Sequence, residues 1–455
     1  MQLRSINPMD GDTLNVIEEW NGRQVEEAIQ LANFTAPNWA AVPVGGRCAL
    51  FKRLAEDLRT QRDQLAQLIT LEMGKLITEA RVEIEKCATV CDYYAENATE
   101  FLDNEVIESD AGNSYLRYEP LGVVLAIMPW NFPFWQVFRF AAPVLVAGNV
   151  GLLKHASNVP QCALAIEKLF NDAGFPSGVF QSVMISSNEV ERVIAHKAVQ
   201  AVTFTGSEEA GRRVAALAAN NLKKSVLELG GSDPFIVLED VEFQHAIKNA
   251  VASRFMNAGQ SCIAAKRFIV LDEVADEFVA LFQMAVENDL RPGNPALEDS
   301  TLAPMAQHRL RDDVHQQVTD SRARGARIVT GGMPGEGPGA YYQPSILDHV
   351  TPGMRLFDDE VFGPVAAIIR ATDEQDAVRL ANQTRFGLGG SVWTADSERG
   401  ERIAAQLQSG SAFVNGMVKS DPRLPFGGVK ASGYGRELSR HGLREFVNIK
   451  TVWVR

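Results

Sequence analysis

From Val123 onward the chain alternates between two kinds of segment. Short apolar runs (GVVLAI, VGLLK, GVFQSVMI, AVTFT, SVLEL, PFIVL) are separated by helix-like stretches. Strands that must return parallel to one another need long, helical connections, so the alternation predicts parallel α/β layers. A second α/β stretch opens near Leu229 and carries KRFIVL, ARIVT, YQPSIL, VAAIIR and GSVWT. From Arg47 to about Leu102 the pattern is helical. Leu50, Phe51, Leu54 and Leu58 recur at helical spacing, and Gly74 reads as a break between two long helices. At about 150 residues per domain, 455 residues suggest two or three domains.

A net charge of −13 argues against a nucleic-acid phosphate backbone as partner. No run reaches the roughly 18 apolar residues of a membrane span. The start, MQLRSINPMDGDTL, lacks a signal-peptide core, so a cytoplasmic protein is expected. Five cysteines (Cys48, Cys87, Cys91, Cys162, Cys262) are odd in number and irregular in spacing, a reduced set with no metal-ligand pattern. Cys87 and Cys91 are four apart, which fits small core residues better than a two-thiol metal site.

Four segments could carry chemistry. In FMNAGQSCIAAKR, small residues leave a carbon room to approach the Cys262 thiol. A nucleophile there needs a lowered pKa or a nearby base; otherwise Cys262 is a structural thiol. In SVLELGG, Glu228 ends an apolar strand before two glycines. It is either a buried base of raised pKa or a strand-end carboxylate facing water. In MPWNFP, Pro133 suits a first helical turn, and Asn131 either caps that helix or donates its amide to an oxyanion. Trp135 and Arg139 follow Asn131 at i,i+4 steps on one face. A guanidinium there can fork onto a substrate carboxylate or pair with a structural acid. In AVTFTGS, a strand runs through Gly206 and Ser207 into a helix, a phosphate-favouring turn that lacks the GxGxxG fingerprint.

Taken in order, PWNFP, FTGS, ELGG, GQSC, EVFGP at 360–364 and PFGG at 425–428 resemble the aldehyde dehydrogenase superfamily over nearly the whole chain. The resemblance implies a Rossmann-like cofactor domain (1–102 and 122–228), an α/β catalytic domain (229–430) and a small β oligomerisation flap (103–121 and 447–455). It implies Cys262 as nucleophile, Glu228 as general base and Asn131 as oxyanion donor. Trp130, Lys154, Ser157, Gly206, Ser207, Leu229, Glu360 and Phe362 would bind the dinucleotide. Members that pass the acyl group to coenzyme A typically lack the Glu, so hydrolysis is implied. Where NAD-preferring members commonly carry a Glu three residues after the lysine, this chain has Ser157, implying NADP as the preferred cofactor and NAD as the poorer one. Arg139, Trp135 and Ser420 are placed as in succinate-semialdehyde dehydrogenases, implying a small aldehyde with a carboxylate; glutaric semialdehyde is the alternative. Met256 replaces a second arginine of several such enzymes, and Ala264 replaces the second cysteine of a redox switch. The alternating tail VNIKTVWVR suits pairing within a homodimer or homotetramer. Two other classes are an inactive relative of the fold and a cysteine hydrolase without redox chemistry, which would lack a histidine partner.

Overall fold

The structure, a computed structural model, describes residues 2–455. A six-stranded sheet runs in the order Gly433–Tyr434, Lys224–Glu228, Val199–Thr205, Val123–Met128, Val150–His155, Phe180–Ser182. All neighbours are parallel except Gly433–Tyr434, which lies antiparallel against Leu227 and Glu228. The strands Val123–Met128 and Val150–His155 are buried along their whole length. That is why they read as continuous apolar runs rather than as alternation.

The chain builds this sheet outward from Val123–Met128, then returns to lay Val199–Thr205 on the other side of it. The order therefore reverses between the carboxyl ends of these two strands. Open α/β sheets take ligands at such a reversal, because successive crossovers diverge and leave a crevice. The turns leaving these two ends are Pro129-Trp130-Asn131 and Gly206-Ser207.

A seven-stranded sheet runs Arg327–Thr330, Ser345–Asp348, Val365–Ala371, Ala265–Leu271, Asp233–Val237, Ser391–Trp393, Phe413–Val414. Only Arg327–Thr330 is antiparallel to its neighbour. A small antiparallel sheet joins Val447–Val454 to Asn113–Pro120 and then to Glu105–Val106. The tail strand thus uses one edge on its own chain, with Val447 opposite Pro120 and Val454 opposite Asn113. Its other edge is unpaired.

The helical region holds three helices rather than two: Val44–Thr60, Arg62–Met73 and Ile77–Leu102. Gly74 does end the second of them, at φ 82°, where a side chain would strike Pro8 and Pro304. The helix after MPWNFP starts at Trp135, so Pro133 stands before it rather than in its first turn. Asn131 is not its cap. The buried carboxylate of Glu83 accepts from the N–H groups of Phe134 (2.8 Å) and Trp135 (3.0 Å). A carboxylate at a helix N-terminus satisfies orphan donors and meets the positive end of the dipole. Glu83 also forms a fully buried ion pair with Lys75.

Glu83→Gln keeps an acceptor at this helix start but strips Lys75 of its counter-charge. A loss of about 3–5 kcal/mol of stability is expected in chemical denaturation. Adding Lys75→Met, which removes both buried charges, should recover much of it.

Candidate active site

The nucleophile segment begins with a distorted turn. Asn257 and Ala258 have φ of 54° and 51°, and Gly259 follows at 73°. A side chain at 259 would meet the Gly363 carbonyl at 2.3 Å, so only glycine fits. Two buried cations hold this turn. The Arg254 guanidinium donates to the carbonyls of Gly259 (2.8 Å), Gly363 (2.6 Å) and Ala265 (3.2 Å). The Lys266 ammonium donates to those of Ser261 (2.9 Å) and Cys262 (2.7 Å). Gln260 is pinned at both ends of its amide, to Ala306 N–H and Asn257 carbonyl.

Asn131 meets this turn from the other sheet. Its Nδ2 donates to the Gln260 carbonyl at 3.0 Å, and its own carbonyl accepts from Asn257 Nδ2 at 2.8 Å. With the helix cap supplied by Glu83, the Asn131 amide lies beside the nucleophile segment. Its second N–H has no acceptor there. His155 secures the same loop. Its Nε2 donates to the Pro133 carbonyl at 2.8 Å, while Nδ1 accepts from Ala156 N–H at 2.9 Å. Burial holds this ring neutral, at a pKa of about 4.

The paired glycines of ELGG have a structural reason. A side chain at 230 would come 2.4 Å from a Glu360 oxygen, and one at 231 would come 2.6 Å from the Cys262 carbonyl. They let Glu360 and the Cys262 segment close in. Glu360 accepts from Gly231 N–H at 3.0 Å and lies 3.7 Å from Lys266. The glycine of PFGG at 427 serves Glu228: a side chain there would stand 2.7 Å from its carboxylate.

Glu228 is 2% exposed and neither carboxylate oxygen has a hydrogen-bond partner. Burial pushes its pKa well above the ordinary value, and the neighbouring carboxylate Glu437 pushes it the same way. The residue is therefore a buried carboxyl group with a raised affinity for a proton, not a strand-end acid facing water. The Cys262 thiol does not have the lowered pKa that was one of the two routes to activation. Its pKa is raised to about 11, by burial above all, with Arg139 and Lys266 opposing. It is a thiol in this structure, and its activation requires a base such as Glu228.

Two cavities of about 360 Å³ each meet at Cys262 and Gln136. One contains Trp130, Asn131, Gly206, Ser207, Glu228, Leu229, Glu360 and Phe362 in its walls. This is the crevice at the strand-order reversal. Trp130 and Phe362 stand edge to face at 5.9 Å, and Ser207 caps helix Glu208–Asn220 at its rim. The other contains Trp135, Arg139, Ser420, Phe132, Met256 and Lys86. Lys154 and Ser157 line neither. Lys154 sits near the end of Val150–His155, buried, with no ion pair or hydrogen bond for its ammonium among the described residues. Burial lowers its pKa. Ser157 lines a separate cleft beside Arg4, Asn158 and His308.

Arg139 has a protein partner. It forms a buried ion pair with Glu437 and lies 4.5 Å over the Phe426 ring, while still lining the cavity. Glu437, Lys266, Arg254, Glu83, Gln136 and Lys86 escaped the sequence reading. Glu437, Glu83 and Lys86 work through partners far along the chain, and Lys266, though inside the FMNAGQSCIAAKR segment, gave no sign that it holds the backbone of that turn.

The model of the aldehyde dehydrogenase family matches residues 1–452. The chain belongs to the aldehyde dehydrogenase family. It is 48% identical over 454 residues to a probable succinate-semialdehyde dehydrogenase (NADP(+)) of Synechocystis sp. (strain ATCC 27184 / PCC 6803 / Kazusa), covering 100% of both chains. It is 47% identical over 457 residues to succinate-semialdehyde dehydrogenase (NADP(+)) 1 of Mycobacterium tuberculosis (strain ATCC 25618 / H37Rv), again covering 100% of both. Among solved structures it superposes on succinic semialdehyde dehydrogenase from Streptococcus pyogenes, a complex with NADP+, at a TM-score of 0.97. The identity is 38%, and 99% of each chain is covered. This full-length likeness to dehydrogenases sets aside the cysteine hydrolase reading of the family's fold.

Glu228→Gln should lower steady-state turnover by about 10²–10⁴-fold, read as reduced-nicotinamide absorbance. Removing the like charge with Glu437→Gln lowers the Glu228 pKa, so the acidic limb of the kcat–pH profile should move to lower pH.

Proposed function

We propose that this chain oxidises succinic semialdehyde to succinate, with NADP as the preferred cofactor and NAD as the poorer one. The observation that carries the reading is the position of Cys262 on the wall shared by two cavities. One is lined with cations and indole, the other opens at the strand-order reversal next to a buried, unpartnered carboxylate. The full-length relatives named above support the choice of substrate and cofactor.

The residues of the second cavity suit a dinucleotide, with Lys154 outside its lining and within reach only of a cofactor that extends beyond it. Gly206 and Ser207 lead into a helix N-terminus that favours phosphate. The buried Lys154 ammonium lacks any acceptor, and a ribose hydroxyl or its phosphate would provide one. When bound, the nicotinamide ring supplies the hydride acceptor. The chain supplies the rest. Glu228 takes the proton from Cys262, whose sulfur then adds to the aldehyde carbon. The Asn131 amide, with the Cys262 N–H, stabilises the oxyanion. Hydride loss from that carbon leaves a thioester on Cys262. Glu228, having passed the thiol proton on to solvent, then draws a proton from water; the hydroxide adds to the thioester carbon, the C–S bond breaks, and the acid leaves with Cys262 as thiolate.

The same reading takes 1–102 and 122–228 as the cofactor domain, 229–430 as the catalytic domain, and 103–121 with 447–455 as the flap. A homodimer or homotetramer would form through that flap. Its tail strand has an open edge and exposes Ile449 and Trp453. No helix among the described residues is long and apolar enough to cross a membrane, and we take the enzyme to be cytoplasmic.

The test is kcat/KM for a panel of aldehydes with each cofactor. Succinic semialdehyde with NADP should give the highest value. Ser157→Glu sets a carboxylate where a 2′-phosphate would sit, and should cut the NADP value by about tenfold or more while sparing NAD. Equal or better efficiency of the native enzyme with NAD would reject the cofactor assignment.

A further inference from the structure

The cavity on the far side of Cys262 holds a lysine that makes no ion pair among the described residues. Helix Ile77–Leu102 turns Glu79, Glu83 and Lys86 toward this cavity at i,i+4 and i,i+3 steps. One acid is paired, and the other keeps a single oxygen, Glu79 Oε2, without a hydrogen-bond partner among the described residues. Glu83 is paired with Lys75, and Glu79 accepts from Asn257 N–H at 2.9 Å. Arg139 is paired with Glu437. Lys86 makes no ion pair among the described residues.

The Lys86 ammonium is half-buried, 4.2 Å over the Trp135 ring, and donates one hydrogen bond, to Ser420 Oγ at 2.8 Å. Trp135 Nε1 donates to the same oxygen at 3.1 Å. Ser420 Oγ therefore accepts twice, and its own hydrogen is left to be given away. No acceptor for it lies among the described residues. Two N–H bonds of Lys86 are likewise unused. The cluster offers only donors, carries a positive charge and lines the cavity that ends at the Cys262 thiol. An anion with several acceptor oxygens is the ligand that satisfies it.

We propose that Lys86, together with the Ser420 hydroxyl, binds the carboxylate of the aldehyde substrate and is the cation that selects for it. The proposal rests on the reading of the substrate as a semialdehyde carrying a carboxylate. It assigns Arg139 a shared role: its charge is already met by Glu437, so it borders the carboxylate site without being its chief counter-ion. It also shows what compensates for Met256, where a second arginine was expected to be missed. The lowering of the Lys86 pKa to about 8, by burial and then by the Arg139 charge, is consistent with a site built to receive a negative charge.

The test compares succinic semialdehyde with butanal, which has the same carbon chain and no carboxylate. Lys86→Met keeps the aliphatic stem and removes the charge. KM for succinic semialdehyde should rise on the order of 10- to 100-fold, while kcat/KM for butanal should change by less than about threefold. Lys86→Arg should recover most of the loss. Butanal turnover shows that the variant is folded. If Lys86→Met does not fold, Lys86→Gln carries the same expectation. A native enzyme that favours succinic semialdehyde and a Lys86→Met variant that favours it equally would overturn the role of Lys86 alone. Equal losses on both substrates in a folded variant would overturn it too, as a packing effect. A native enzyme with no preference for succinic semialdehyde over butanal would overturn the substrate reading and this proposal with it.

Discussion

A reciprocal pair of hydrogen bonds joins the two sheets at the point where chemistry is proposed. Asn131 leaves the carboxyl end of Val123–Met128 and donates to the Gln260 carbonyl; Asn257 donates back to the Asn131 carbonyl. The Cys262 segment then enters the amino end of Ala265–Leu271. An oxyanion donor and a nucleophile borne by different sheets keep a fixed separation only if their backbones are tied. Preorganisation of this kind is what lets a donor act on a developing charge without reorganising first.

That tie is supported by buried charge. Arg254 and Lys266 are fully buried and give their donors to backbone carbonyls of the turn. A guanidinium that neutralises no acid but gathers several carbonyls fixes a backbone course that its φ values alone disfavour. Around it, glycines appear where two segments must nearly touch: Gly259 against Gly363, Gly230 against Glu360, Gly231 against Cys262. The motifs of this chain are in large part records of close approach.

Charge is also what separates the two cavities in function. Glu228 is a carboxylate with no donor, next to Glu437, so it is kept ready to take a proton. Arg139 joins the sides, because it pairs with Glu437 while lining the other cavity. Lys86 stands beyond it with unused donors. On the proposed reading, the wall at Cys262 divides a proton-accepting side from a carboxylate-accepting side.

Much of this was legible in the sequence. Alternating apolar runs announced the parallel sheets, and each motif residue could be named before its surroundings were known. What stayed hidden depends on pairs distant in the chain. Glu83 caps the Trp135 helix from 51 positions earlier, which is why Asn131 was mistaken for a possible cap. Lys86 meets Ser420 across 334 positions, and on its own reads as one more lysine of a long helix. Whether Cys262 has a lowered pKa, relies on a nearby base or is a structural thiol stayed open in the sequence, because its small neighbours say nothing of the surroundings that raise its pKa. The most direct test of the account is peptide mass spectrometry of the unaltered enzyme, acid-quenched during its first turnover with succinic semialdehyde and NADP. An acyl group should be found on the Phe255–Lys266 peptide, on Cys262, and only when the nicotinamide cofactor is present. Acid formation with no adduct at Cys262, or an adduct that forms equally without cofactor, would contradict it.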